Sequence, residues 1–147
     1  MLKYEKAQDL NETVADIVST LDMKHLDPER ILCMRSTGSK SKRIVARIHA
    51  LQRIVSEALD GKIVYVIEFI CENFDKLSRE EQLKTVIHEM LHIPRTFGGG
   101  LLGHKRYVRS TRVKKFYDDY VKSKDHPQIK LELAVQKKTR AKKSQAL

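Results

Sequence analysis

The residues with the most chemical capacity lie between Ser78 and His104, in the stretch SREEQLKTVIHEMLHIPRTFGGGLLGH. It contains His88-Glu89-Met90-Leu91-His92, an HExxH string, and ends on a third histidine. Histidines four apart on a helix lie on one face, one turn apart, so His88 and His92 can hold a single ion between them. Glu89 sits about 100° round the helix from His88, close enough to reach a water at that ion without being a ligand. That position suits a general base. A catalytic zinc is usually held by three protein groups with the fourth position left for water or substrate, and the histidine set suggests hydrolysis by this route, with one Zn2+ as cofactor.

The elements that must position these groups are also legible. Ser78 followed by Glu81 is a capping box, so a helix is expected to start there. Leu83, Val86, Ile87, Met90 and Leu91 recur at i, i+3, i+4, i+7 and i+8, one apolar stripe on the side opposite the two histidines. Pro94 disfavours helical geometry at Ile93 and predicts a stop just after His92. Gly98, Gly99, Gly100 and Gly103 then let the chain turn back, and His104 arrives on the returning strand of that loop, well placed to complete a three-histidine site.

IHEMLHIP followed by FGGGLLGH resembles the phage and archaeal metallopeptidase family, small single-domain zincins related to the SprT-like proteases. The resemblance runs from the strand before the helix to about Tyr120. It implies zinc ligands at His88, His92 and His104 and a catalytic Glu89, but no known substrate; a protein or peptide substrate is what the peptidase reading itself expects. The chain departs from two better-known zincin patterns: His104 lies twelve residues beyond His92, further than in metzincins, and no glutamate follows before Glu132 to act as the third ligand of a gluzincin. Asp118 or Asp119 is the alternative third ligand. Within sequence reach of the site, Tyr107, Arg106 and Arg95 are candidates for stabilising an oxyanion.

Elsewhere, Leu10, Val14, Ile17, Val18 and Leu21 predict an N-terminal amphipathic helix broken by Asp27-Pro28. Ile31 to Arg35 reads as a short strand and residues 37 to 42, TGSKSK, as a basic loop. The apolar positions from Ile44 to Leu59 suit a second helix, with His49 a packing or surface residue within it. After the Asp60-Gly61 turn signal, residues 62 to 70 form the strongest strand, rich in β-branched residues. By resemblance to zincins, this is the strand expected to pair with extended substrate through Val64, Val66 and Glu68. A helix from about Lys105 to Lys122 follows from Val113, Phe116, Tyr117, Tyr120 and Val121, and a last strand from the alternation of Ile129, Leu131, Leu133 and Val135.

These elements predict an α+β fold, helices packed on a small mixed sheet, with one zincin-like domain over residues 1–136 and a basic, disordered tail over 137–147. At 147 residues and 41% apolar the chain can bury a core without disulfides. Cys33 and Cys71 match no metal spacing and read as free thiols of a reducing compartment. MLKYEKAQDL at the N-terminus has no apolar core of a secretory signal, and no run reaches membrane-spanning length, so a cytoplasmic protein is expected.

Net charge is +10, and the 25 residues from Ser123 carry seven Lys/Arg against two acids. Such a balance attracts polyanions, which makes Lys137, Lys138, Arg140, Lys142 and Lys143 candidate nucleic-acid contacts. A nucleic-acid-associated protein with a structural metal is therefore the competing function, and a SprT-like protease recruited to DNA would combine the two. No cysteine pattern for a structural zinc is present.

Overall fold

The structure, a computed structural model, describes residues 1–123. Four strands form a mixed sheet in the order β1-β2-β4-β3: β1 (Lys3–Lys6), β2 (Ile31–Thr37), β3 (Ala46–Ala50) and β4 (Tyr65–Ile70). β1 runs antiparallel to β2, β2 parallel to β4, and β3 antiparallel to β4. The helices are α1 (Gln8–Thr20), α2 (Arg53–Ala58), α3 (Cys71–Phe74), α4 (Arg79–Met90), α5 (His104–Tyr107) and α6 (Ser110–Lys122), with a 3-10 turn at Pro28–Arg30. This is the α+β architecture expected, as a single small domain.

Alternation builds the core. Ile31, Cys33, Tyr65, Ile67 and Phe69 project from β2 and β4 into one cluster with Leu10, Val14 and Ile17 of α1, Leu83, Val86, Ile87 and Met90 of α4, and Val113 and Tyr120 of α6. Burying a side chain of this size contributes about 1.5–3 kcal/mol each against exposure. Two polar ties fix α1 to β2: Asn11 Oδ1 accepts from the Cys33 amide at 2.7 Å, and Arg35 donates twice to Asp9 at 2.6 and 2.7 Å.

The helix expected over Ile44–Leu59 is not formed. Ala46, Ile48 and Ala50 instead pair with Phe69, Ile67 and Tyr65 as strand β3, and only Arg53–Ala58 is helical. The apolar spacing there satisfied both periods, and pairing with a strongly β-prone neighbour decided between them. Val55 and Leu59, meant for the buried face, are 41% and 52% exposed.

The helix expected over Lys105–Lys122 is interrupted at Val108 and Arg109. Val108 turns into the core, while the Arg112 guanidinium donates to the freed Tyr107 carbonyl at 2.7 Å and Arg109 Nε to the Lys105 carbonyl at 2.7 Å. β1, a polar KYEK segment without apolar alternation, gave no strand signal and forms by pairing with β2.

Cys33 is buried and Cys71 half-buried, both as free thiols. No helix among the described residues is long and apolar enough to cross a membrane. The strand expected over 129–135, the boundary at 136 and the basic tail with Lys137, Lys138, Arg140, Lys142 and Lys143 lie outside the described residues.

Candidate active site

α4 begins as its sequence dictates: the Ser78 hydroxyl accepts from the Glu81 amide at 3.2 Å, with Glu80 and Glu81 at the positive end of the helix. Its regular part ends at Met90, two residues before the second histidine. The chain then tightens, with the His92 amide donating to Glu89 O and that of Ile93 to Met90 O, both i→i−3 bonds. This extra turn before Pro94 keeps His92 one turn along from His88.

The return loop is pinned by side chains the sequence did not single out. The Tyr65 hydroxyl accepts from the Gly99 amide and donates to the Gly100 carbonyl, both at 2.9 Å, and its ring meets Phe97 edge-on at 5.0 Å. Of the loop glycines only Gly99 requires its lack of a Cβ for backbone reasons, at φ 96°; Phe97 supplies the other left-handed residue, at φ 50°. Leu102 and His92 clamp each other: the Leu102 amide donates to His92 O at 2.7 Å, and His92 Nδ1 donates to Leu102 O at 2.6 Å.

The loop sets His104 at the start of α5 with its ring 4.4 Å from that of His92 and 5.1 Å from that of His88, and the His88–His92 rings are 5.2 Å apart. One ring nitrogen from each lies within 4.8 Å of the others. Asp118, the alternative third ligand, is instead bound to Lys114 at 2.9 Å, and neither it nor Asp119 joins the cluster.

The donor chemistry fits a divalent metal. A ligand imidazole must be neutral with a free lone pair. Burial, then the neighbouring His92 and His104, push His88 down to about 4, and burial likewise lowers His92. Since the Leu102 carbonyl can only accept, His92 Nδ1 carries the proton and Nε2 keeps the lone pair. Such an outer hydrogen bond also fixes the orientation of a ligand ring.

Glu89 is 6% exposed, beside the histidines. Burial pushes its carboxyl up to about 7, against a smaller opposing pull from the Ile48 backbone of β3. Glu89, His88 and His104 line one cleft of about 820 Å³ with residues 43–47 on one wall and Ser110, Thr111, Val113 and Lys114 of α6 on the other. Of the cations on this cleft, Arg47 lies 3.2 Å from Glu68, Lys84 3.1 Å from Glu80 and Lys114 2.9 Å from Asp118.

Two expectations are corrected here. β4 is paired on both sides, by β2 and by β3, so its backbone around Val66 and Glu68, with Val64 just ahead of it, offers no free edge to a substrate. Glu68 is instead a buried carboxylate accepting from Ser36 Oγ at 2.7 Å and bonded to His49 Nε2 at 2.9 Å. Among the described residues the free edge beside the cleft belongs to β3, hidden from sequence reasoning by its helix-like apolar spacing. Nor do the three candidate oxyanion groups line the cleft: Arg95 and Tyr107 line a separate cavity, and Arg106 is exposed with its guanidinium over the Tyr107 ring at 5.5 Å.

No curated protein and no solved structure significantly matches the chain. The family model described as “Putative phage metallopeptidase” matches residues 2–120, which span every strand and helix from β1 to α6 down to Tyr120, and with them the histidine cluster. With that match covering most of its length, the chain belongs to the phage metallopeptidase family.

Proposed function

We propose that the protein is a zinc-dependent metallopeptidase built on three converging imidazoles and one buried carboxylate beside them. The single observation that carries this reading is the convergence of His88, His92 and His104 next to Glu89. His88, His92 and His104 would hold the ion through neutral nitrogens, a donor set suited to zinc. When bound, zinc supplies Lewis acidity, making water nucleophilic near neutral pH and drawing charge from a scissile carbonyl.

The chain's own groups supply the rest. Glu89 accepts a proton from the attacking water and returns it to the leaving amine, a task for which a carboxyl raised toward neutrality is matched. The His92–Leu102 clamp holds one imidazole in the tautomer that ligates. Among the described residues β3 pairs with β4 alone, and its outer edge offers main-chain groups to an extended peptide along the cleft wall, which gives affinity with little sequence preference. The free thiols of Cys33 and Cys71 support a cytoplasmic setting.

The test is zinc content together with casein hydrolysis for the wild type and Glu89→Gln. The variant should keep one zinc per chain and lose about 10²–10⁴-fold in turnover, the usual share of a general base. Undiminished turnover would remove Glu89 from the mechanism, and a wild type that neither holds zinc nor cleaves peptide would end the reading.

A further inference from the structure

A second cavity of about 750 Å³ shares no lining residue with the cleft that holds His88, Glu89 and His104. Its floor is apolar and aromatic: Met23, Leu91, Ile93 and Phe116. Its rim is cationic, with Lys24, Arg95 and Arg112 around the imidazole of His25. Among the described residues the one acid on the rim, Asp22, sits 3.8 Å from Lys24 and leaves Arg95 and Arg112 uncompensated. Arg95 and Arg112 have no ion-pair partner among the described residues, although Arg112 donates to the Tyr107 carbonyl and lies over the Phe116 ring at 5.7 Å. Burial, followed by these two guanidinium groups, lowers the pKa of His25, so the imidazole adds no positive charge at neutral pH and the two arginines carry that of this side of the rim.

Like charges held together without an acid disfavour one another, and an incoming anion relieves that repulsion. Guanidinium forks match phosphate oxygens in pairs, whereas the apolar floor needs a partner that carries a flat or greasy body beside its charge. A nucleotide unit has both, a phosphate and a base with a π-face that stacks on aromatic and guanidinium planes. A duplex keeps its bases paired inside, so the fit is to a single strand. The chain's net charge of +10 would draw such a polyanion from a distance. We propose that this cavity is a binding site for single-stranded nucleic acid, with a backbone phosphate between Arg95 and Arg112 and a base against Phe116.

The test uses the full chain and a fluorescein-labelled single-stranded oligothymidylate, followed by anisotropy across a salt series. Arg95→Ala with Arg112→Ala should weaken binding at least tenfold and flatten the dependence of log Kd on log salt by about 1. Removing equal charge from the first strand, Lys3→Ala with Lys6→Ala, should change Kd less than twofold. Because Arg112 also holds the Tyr107 carbonyl, Arg95→Ala alone, a change at an exposed side chain, is measured beside it and should weaken binding about threefold to fivefold with an unaltered melting temperature. A 5-bromouracil oligonucleotide should photo-crosslink to the peptide containing Phe116. Equal losses from the two double variants would overturn the proposal in favour of unspecific attraction. So would a glutamate-rich peptide that binds more tightly than the oligonucleotide through the same arginines, since the cavity would then be a docking site for acidic protein.

Discussion

Tyr65→Phe removes one oxygen atom from the core and should be felt at the metal. The hydroxyl accepts from Gly99 and donates to Gly100, so the substitution deletes both bonds that tether the return loop to β4, while the ring keeps its edge contact with Phe97. A hydrogen bond contributes about 0.5–1.5 kcal/mol net, giving about 1–3 kcal/mol for two. Gly99 is half-buried and Gly100 exposed, so water replaces part of what is lost, and about 1–1.5 kcal/mol is the expected remainder. That energy holds His104 in place. If ordering the loop is added to the work of metal binding, zinc affinity falls about tenfold, since 1.4 kcal/mol corresponds to a factor of ten.

Competition against a chromogenic chelator measures this directly. A double-mutant cycle sharpens it: in a His104→Ala background the loop no longer delivers a ligand, so Tyr65→Phe should then change zinc affinity less than twofold. Equal effects of Tyr65→Phe in the two backgrounds would refute the idea that the tether acts through His104.

Replacing His104 with Ala should itself lower zinc stoichiometry or affinity, and unchanged metal binding would return Asp118 or Asp119 to consideration. For the metal-free protein, the folded pKa of His88, about 4, lies below its ordinary 6.5, so the unfolded chain takes up the proton first. His88 and His92 therefore contribute stability that is complete above pH 6.5 and is lost as pH falls toward 4. Urea midpoints in chelator should drop between pH 7 and 5.5, and a level profile that His88→Asn leaves unaltered would contradict the burial argument. The Cys33 thiol is 1% exposed and burial pushes it up to about 12, so native protein should react with a disulfide reagent only through Cys71, and with both thiols in denaturant. Rapid titration of two thiols in the native state would show that β2 opens readily.

Much of this protein could be read from local signals. Ser78 and Glu81 marked the start of α4, the Leu83–Met90 stripe its buried face, and the HExxH spacing put His88, Glu89 and His92 where one turn of helix brings them together. These are consequences of helical geometry, which acts between residues a few positions apart and so is written in their order. The same holds for α1 and for the stripe of α6.

What tertiary structure decided lies at longer range. Whether residues 46–50 became helix or strand depended on the open edge of β4, which no local pattern encodes. Which strand among the described residues has a free edge beside the cleft followed from the order β1-β2-β4-β3, and that order is why the proposed peptide-pairing edge lies on β3 and not on β4. The hydroxyl that fixes the glycine loop comes from Tyr65, 34 residues before the Gly99 amide it receives. The grouping of His25 with Arg95 and Arg112 likewise joins three distant segments. The sequence by itself determined which groups could share a metal, because histidines four apart on a helix lie on one face and a glycine loop can return a third to them; only the fold decided what holds His104 in place and which strand edge borders the cleft, because hydrogen bonds and charges act through space between residues far apart in the chain.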